Sequence, residues 1–353
     1  MKNAPKVLTT MFVVFFVLQL LFYARLHANN ADPSKLDTYI DNMQLKNEAM
    51  FSIAIAQHGH PFYTRSIGYT DTALTVYSGA QTQYRVGELS RLFTAVILLQ
   101  LADEKMIQMG TPVSRFFPEI PNGKNISIEM LLTGKVHILD YLPGGKNYLP
   151  VKSEYAFQQQ LELDAASPVH PDAAPAFSNA NYILLGLIIE KITHQTYGEV
   201  LRQRITEPAG LKNTFIPATD LPARYEACSF NLFNNQWNVQ GKWDLTSIQA
   251  AGGILSTPND LGKFMYALYH EKLIPQKYLL RLGINDMGKG VGLSGIYMGH
   301  QTGIQATGRI DGFESRIYYF PADDICISIS SNARPATHAN FMDELVQVLY
   351  GDV

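Results

Sequence analysis

Two charged residues stand where a long apolar run begins. In Tyr84-Arg85-Val86-Gly87-Glu88-Leu89-Ser90-Arg91-Leu92-Phe93-Thr94-Ala95, Glu88 and Arg91 lie one helical turn apart. From Leu92 to Leu101 almost every residue is apolar, the pattern of a helix buried on all sides rather than along one stripe. Gly87 marks a turn that feeds its start. A helix N-terminus carries unpaired N–H groups and partial positive charge, so it favours a carboxylate or a developing anion. The spacing allows Glu88 and Arg91 to pair as ions. A carboxylate so placed can activate a water or act as an acid. Arg91 cannot act as a base, because its pKa lies above about 12.

The elements that must hold this helix mouth are legible along the chain. Asp32-Pro33-Ser34 opens a helix through about Met50, with Leu36, Ile40 and Met43 at helical spacing. Phe51 to Gln57 reads as a strand, His58-Gly59-His60-Pro61 as a turn, and Phe62 to Tyr69 as a second strand of a hairpin. His58 and His60 read as solvated turn residues, since no third metal ligand is implied nearby. A helix continues from the Phe177 to Gly186 stretch through Ile192, and another follows Leu261 to about His270. Glu314 to Phe320 and Ile325 to Ser330 form a strand pair, and Ala339 to Tyr350 a closing helix. Gly288-Lys289-Gly290 is a lone glycine turn with no phosphate-binding role.

Composition narrows the classes. The chain has 353 residues, 46% hydrophobic and 17% charged, with a formal net charge of -3. That is ordinary for a globular protein and excludes wholesale disorder. No basic run occurs, so nucleic acid is not an expected partner. Residues 1–28 read as an export signal: Lys2 and Lys6 flank the start, Val7 to Tyr23 is mostly apolar, and Leu26-His27-Ala28 ends as a cleavage site does. An uncleaved membrane anchor is the alternative, because the apolar core is just long enough to span a bilayer. Either way the expectation is export, with the domain in the periplasm or otherwise outside the cytoplasm. Export would permit a disulfide between Cys228 and Cys326. Cys326 lies in a buried-strand pattern, where a free thiol is a common filler, and no bond is expected.

The stretch around Glu88 resembles the nucleophile segment of the serine β-lactamase and penicillin-binding-protein-like family, with its class C β-lactamases, D-peptidases and esterases. Members read Phe-Arg-Ile-Gly-Ser-x-x-Lys-x-Phe-Thr-Ala, the serine attacking a carbonyl and the lysine helping to remove its proton. This chain keeps Arg85, Gly87, Phe93, Thr94 and Ala95 but has Glu88 for the serine and Arg91 for the lysine. A second match is Phe177-Ser178-Asn179-Ala180-Asn181-Tyr182, where relatives begin with a catalytic tyrosine. A third, Ala250-Ala251-Gly252-Gly253-Ile254-Leu255-Ser256-Thr257-Pro258-Asn259-Asp260-Leu261, has a scaffold role. In the last, Gly312-Phe313 sets the register, so Ala306-Thr307-Gly308 takes the place of His-Thr-Gly or Lys-Thr-Gly. Asp140-Tyr141 also follows the family pattern, whereas Gly134-Lys135-Val136-His137 departs from it.

The resemblance, over about residues 35–350, implies an α+β fold: a β-lactamase-like antiparallel sheet built from both chain ends, flanked by helices, with an inserted helical lobe. The implied layout is a sheet lobe of about 29–80 and 240–353 around a helical lobe of about 81–239. It also implies that the catalytic positions are occupied by Glu88, Arg91, Phe177 and Ala306, none of them competent. Asn179, Thr307 and Gly308 remain as pocket residues, and no metal or cofactor is expected. Three readings follow. One is a non-catalytic protein that binds a small molecule, a cell-wall ligand or a partner, or whose Glu88–Arg91 pair simply plugs the old cleft. Another is a hydrolase with rebuilt chemistry, acting on an ester, amide or peptidoglycan-type substrate, with His137 or His300 folded towards Glu88. The third is a purely structural envelope protein without a pocket.

Overall fold

The computed structural model describes residues 33–120, 122–136, 178–219, 222–233, 236–282, 291–298, 301–334 and 340–350. Residues 1–28, His137, Asp140, Tyr141, Phe177, Gly288 to Gly290 and His300 therefore lie outside the described residues.

Apolar and alternating stretches become one sheet. Its strands are β1 (Met50–Gln57), β2 (His60–Ile67), β7 (Ser294–Met298), β8 (Gln301–Ile310), β9 (Phe313–Phe320) and β10 (Ile325–Arg334), in the order β2-β1-β10-β9-β8-β7. Every neighbouring pair along this path is antiparallel. Two further strands, β4 (Phe230–Phe233) and β5 (Gln236–Val239), form a hairpin whose β4 pairs in parallel with the end of β10. Residues from both halves of the chain thus build the sheet, as the resemblance implies. Met50 to Ile55 of β1 are buried on both faces of the sheet, which is why the strand reads as a nearly continuous apolar run rather than an alternation.

The two remaining short strands, β3 (Tyr84–Arg85) and β6 (Leu255–Ser256), pair with each other and lead into helices. The apolar run becomes the Ser90–Asp103 helix, in which only Arg91, Gln100, Ala102 and Asp103 escape full burial. Around it pack the Asn179–Thr193, Tyr197–Leu201 and Gln249–Gly252 helices. The Pro258–Tyr269 helix lies on β1 and β10. Thr257 caps it, its side chain accepting from the Asp260 N–H at 3.2 Å, and Phe264 stacks on Phe93 at 3.9 Å between ring centroids. At about 1.5–3 kcal/mol per fully buried large apolar side chain, these contacts outweigh any single motif in holding the fold.

Contacts divide the chain into two units. The larger, residues 43–339, holds the sheet and the helices just described. Among the described residues the smaller joins 33–42 to 340–350, and within it Tyr39 Oη donates to Glu344. The first helix runs Pro33–Leu45, shorter than the expected reach to Met50, because Asn47 takes a left-handed φ of 54°. β2 begins at His60 and ends at Ile67, two residues earlier than expected, before Gly68 at φ 88°.

Candidate active site

The helix mouth is built by close backbone approach. Gly87 holds φ 54°, and a Cβ there would lie 2.6 Å from the carbonyl oxygen of Arg309. Facing it on β8, a Cβ on Gly308 would lie 1.9 Å from the carbonyl oxygen of Val86. Only glycine fits both positions, so the turn before the helix is clamped to β8. Deeper in, Thr94 Oγ1 lies 2.7 Å from both the Ala250 carbonyl oxygen and the Tyr197 hydroxyl. Ser90 Oγ accepts from the Ile254 N–H at 3.2 Å.

A second helix brings Asn179 to the same place. Asn181 Nδ2 donates to the carbonyls of Leu131 and Val136 at 3.2 and 2.6 Å, and Tyr182 Oη donates to Leu132 at 3.0 Å. These bonds fix the first turn of the Asn179–Thr193 helix. Burial pushes the Tyr182 phenol well above its ordinary range, so it stays protonated.

Beneath the cleft lies a buried charge cluster. Arg85 Nε donates to Glu226 Oε1 at 2.8 Å; its Nη1 donates to the Trp243 carbonyl at 2.6 Å and to Asp311 Oδ2 at 3.1 Å. Lys242 Nζ donates to Glu226 Oε1 at 3.3 Å. All three side chains, Arg85, Glu226 and Asp311, are at most 4% exposed. Burial pushes the Asp311 carboxyl upward, against the pull of Arg85.

Glu88 and Arg91 do not pair. The helix proper starts at Ser90, so Glu88 belongs to the preceding 3₁₀ turn and the geometry of two residues on one helix does not apply. Glu88 Oε2 instead accepts the backbone N–H of Arg309 at 2.6 Å. Arg91 turns the other way: its Nη2 donates to Asn179 Oδ1 at 2.5 Å, and its guanidinium sits 5.4 Å from the centre of the Tyr182 ring. The expected ion pair is thereby corrected to two separate contacts.

A cleft of about 260 Å³ opens here, lined among others by Glu88, Asn179, Trp243, Ile248, Arg309 and Asp311. Glu88 and Asn179 share it. Gly308 underlies it through the clamp, Ala306 is buried in the core, and Thr307 is exposed on β8 outside the lining. Trp243, Arg309 and Asp311 escaped the sequence reading. Asp311 and Arg309 flank the Gly312-Phe313 register and could have been found there. Trp243 carries no local signal.

A model of the family named Beta-lactamase matches residues 44–350. The chain belongs to the Beta-lactamase family. Among curated proteins, the teichoic acid D-alanine hydrolase of Staphylococcus aureus (strain MRSA252) is 23% identical over 251 residues, covering 70% of this chain and 61% of the relative. The chain thus spans about three fifths of the length of the curated relatives it matches. Among solved structures, the octameric penicillin-binding protein homologue from Pyrococcus abyssi aligns with a TM-score of 0.76 at 23% identity, over 91% of this chain and 78% of that one. The D-amino acid amidase from Ochrobactrum anthropi SV3, complexed with L-phenylalanine amide, aligns with a TM-score of 0.74 at 23% identity, over 90% and 97%. These likenesses show the fold.

Proposed function

We propose that this chain is a non-catalytic family member, exported from the cytoplasm, that holds a small molecule or cell-wall component in the cell envelope. The observation that carries the reading is at the helix mouth. The nucleophile position bears a carboxylate whose oxygen already takes the Arg309 N–H, and the base position bears an arginine held by Asn179. An arginine does not give up its proton at any working pH, so no base stands where acyl transfer needs one. Phe177 has no hydroxyl to relay a proton, and Ala306 no charge to hold a substrate carboxylate.

Rebuilt hydrolytic chemistry would need a second titratable side chain bonded to Glu88. Among the described residues Glu88 bonds only the Arg309 backbone. The cleft itself speaks against a purely structural role. Export rests on the N-terminal apolar segment, residues 1–28, ahead of a domain of 29–353 with a sheet lobe (about 29–80 and 240–353) and a helical lobe (about 81–239). A relative named for acting on teichoic acid, an envelope polymer, points the same way.

Purified protein should show no stoichiometric labelling by a fluorescent penicillin or a fluorophosphonate serine-hydrolase probe. Heat-stable labelling by either would show that another residue has become the nucleophile and would overturn the reading.

A further inference from the structure

A second pocket, of about 890 Å³, shares no lining residue with the cleft. Its volume lies within the roughly 300–1,000 Å³ of small-molecule sites. It forms where the Tyr197–Leu201 helix runs into a π-helical turn, Arg202–Thr206, in which the Glu207 N–H donates to the Arg202 carbonyl five residues back at 2.9 Å. Such wide turns are rare and recur at functional sites. Gly198, in the first turn of the preceding helix, stands in the pocket wall. A Cβ there would have only the Ile216 Cβ within 4 Å, at the ordinary contact distance of 3.8 Å. Packing therefore does not demand glycine here, although glycine weakens a helix relative to alanine. The room it leaves belongs to the pocket.

The lining decides the class of ligand. Its charged residues, Glu199, Arg202, Glu207 and Lys212, are all exposed, two of each sign, so they sum to no net charge. Arg202 and Glu207 pair with each other. Thr206 and Thr214 are buried, and their hydroxyls are spent. Thr206 Oγ1 donates to the Arg202 carbonyl at 3.3 Å; Thr214 Oγ1 donates to Asp260 Oδ2 at 3.2 Å and lies 2.8 Å from Ser256 Oγ. Leu201, Leu211 and Pro217 are buried, while Phe215 and Ile216 stay partly exposed. A ligand gains apolar burial there, and an ion leaving water finds no buried charge in the lining to meet it.

We propose that this pocket binds an uncharged, mainly hydrocarbon small molecule, seated against Gly198, Phe215 and Ile216. The site is separate from the cleft and does not depend on the non-catalytic reading. The hydrocarbon can belong to a free molecule or to a lipid, and the test separates the two.

The full chain is titrated with 1-hexanol, 1-octanol and 1-decanol, with octanoate and octylammonium, and with dihexanoylphosphatidylcholine below its micelle concentration. Each competes with the uncharged fluorophore N-phenyl-1-naphthylamine. The alcohols should displace it saturably, with affinity rising about fourfold per buried methylene. Both ions should bind at least tenfold more weakly than 1-octanol. Gly198→Leu adds a side chain on the pocket wall and should weaken 1-octanol at least tenfold, with circular dichroism and melting like the parent's. Ala218→Phe, at an exposed lining position, is the second blocking variant should the first not fold. No saturable displacement, affinity flat with chain length, either ion binding as tightly as 1-octanol, or unchanged 1-octanol affinity in a folded blocking variant would each overturn the proposal. Tighter binding of the lipid than of 1-hexanol assigns a lipid as the source, weaker binding a free molecule. Labelling by the penicillin or fluorophosphonate probe bears on the cleft alone, so the two readings fail separately.

Discussion

The clamp at Gly87 and Gly308 and the pair of positions at Glu88 and Arg91 belong to the same motifs, yet they have had opposite fates. The glycines, Arg85 and Thr94 match the family and sit in contacts that leave no room. Glu88 and Arg91 depart from it: Glu88 lines the cleft, and Arg91 is bonded to Asn179, which lines it too. The difference teaches what each residue answers to. A residue packed against backbone answers to sterics, whatever the site does. A residue facing a cleft answers only to the chemistry done there, and it is free to change once that chemistry is no longer required.

This contrast can be broken at several points. The largest effect is expected from Gly308→Ala, whose Cβ would fall 1.9 Å from the Val86 carbonyl oxygen. Backbone must move on one side or the other, at a cost of about 3 kcal/mol or more. Soluble yield and the urea midpoint report it, and a variant that melts like the parent would show that the clamp is not a constraint.

Next is Arg85→Met. It strands Asp311 and half-strands Glu226, both nearly inaccessible, and should cost about 3–5 kcal/mol. Adding Asp311→Asn should recover part of that loss, since a neutral amide tolerates burial better than a lone carboxylate.

Thr94→Val keeps the shape and removes the hydroxyl that meets Ala250 and Tyr197. A loss of about 1–3 kcal/mol is expected from the buried partners left behind. A neutral result would move Thr94 out of the constrained class.

Outside the family motifs, His58 is not merely solvated as its turn suggested. Its Nδ1 and His270 Nε2 lie 3.0 and 3.1 Å from Asp324 Oδ2, and Tyr319 Oη donates to Asp324 Oδ1 at 2.7 Å. Burial pushes the Asp324 carboxyl up, but the bonds from Tyr319, His270 and His58 outweigh it and hold it below the usual carboxylate range. A depressed carboxylate contributes stability above its unfolded pKa, here 3.8, and that contribution is lost as pH falls through the folded value. Asp324→Asn should therefore cost about 1 kcal/mol at pH 7 and progressively less below about pH 4. A penalty that grows in acid would reverse the assignment.

The smallest stability effect is expected at the cleft itself. Glu88→Gln should change stability by no more than about 0.5 kcal/mol, because Glu88 is partly exposed and an amide oxygen can still accept the Arg309 N–H. A loss comparable to that of Thr94→Val would erase the contrast between scaffold and cleft.

By itself the sequence determined the fold and the departures from its chemistry. Apolar runs such as Leu92 to Leu101, and motif order from Arg85 to Phe313, persist because burial and close packing tolerate few alternatives, so residue type reports environment. The replacement of a serine by Glu88 needs no coordinates to see. Only the tertiary structure decided what the new residues do. Glu88 and Arg91 read as an ion pair at helical spacing, but whether two residues share a helix depends on where the helix starts. That start is set by the Gly87–Gly308 approach across 221 residues of chain, counted from Glu88 to its partner Arg309. The pairing of Arg85 with Asp311, the place of Trp243 and the contact of His58 with Asp324 arise the same way. Side-chain partners are chosen by three-dimensional proximity, and local spacing carries no record of it.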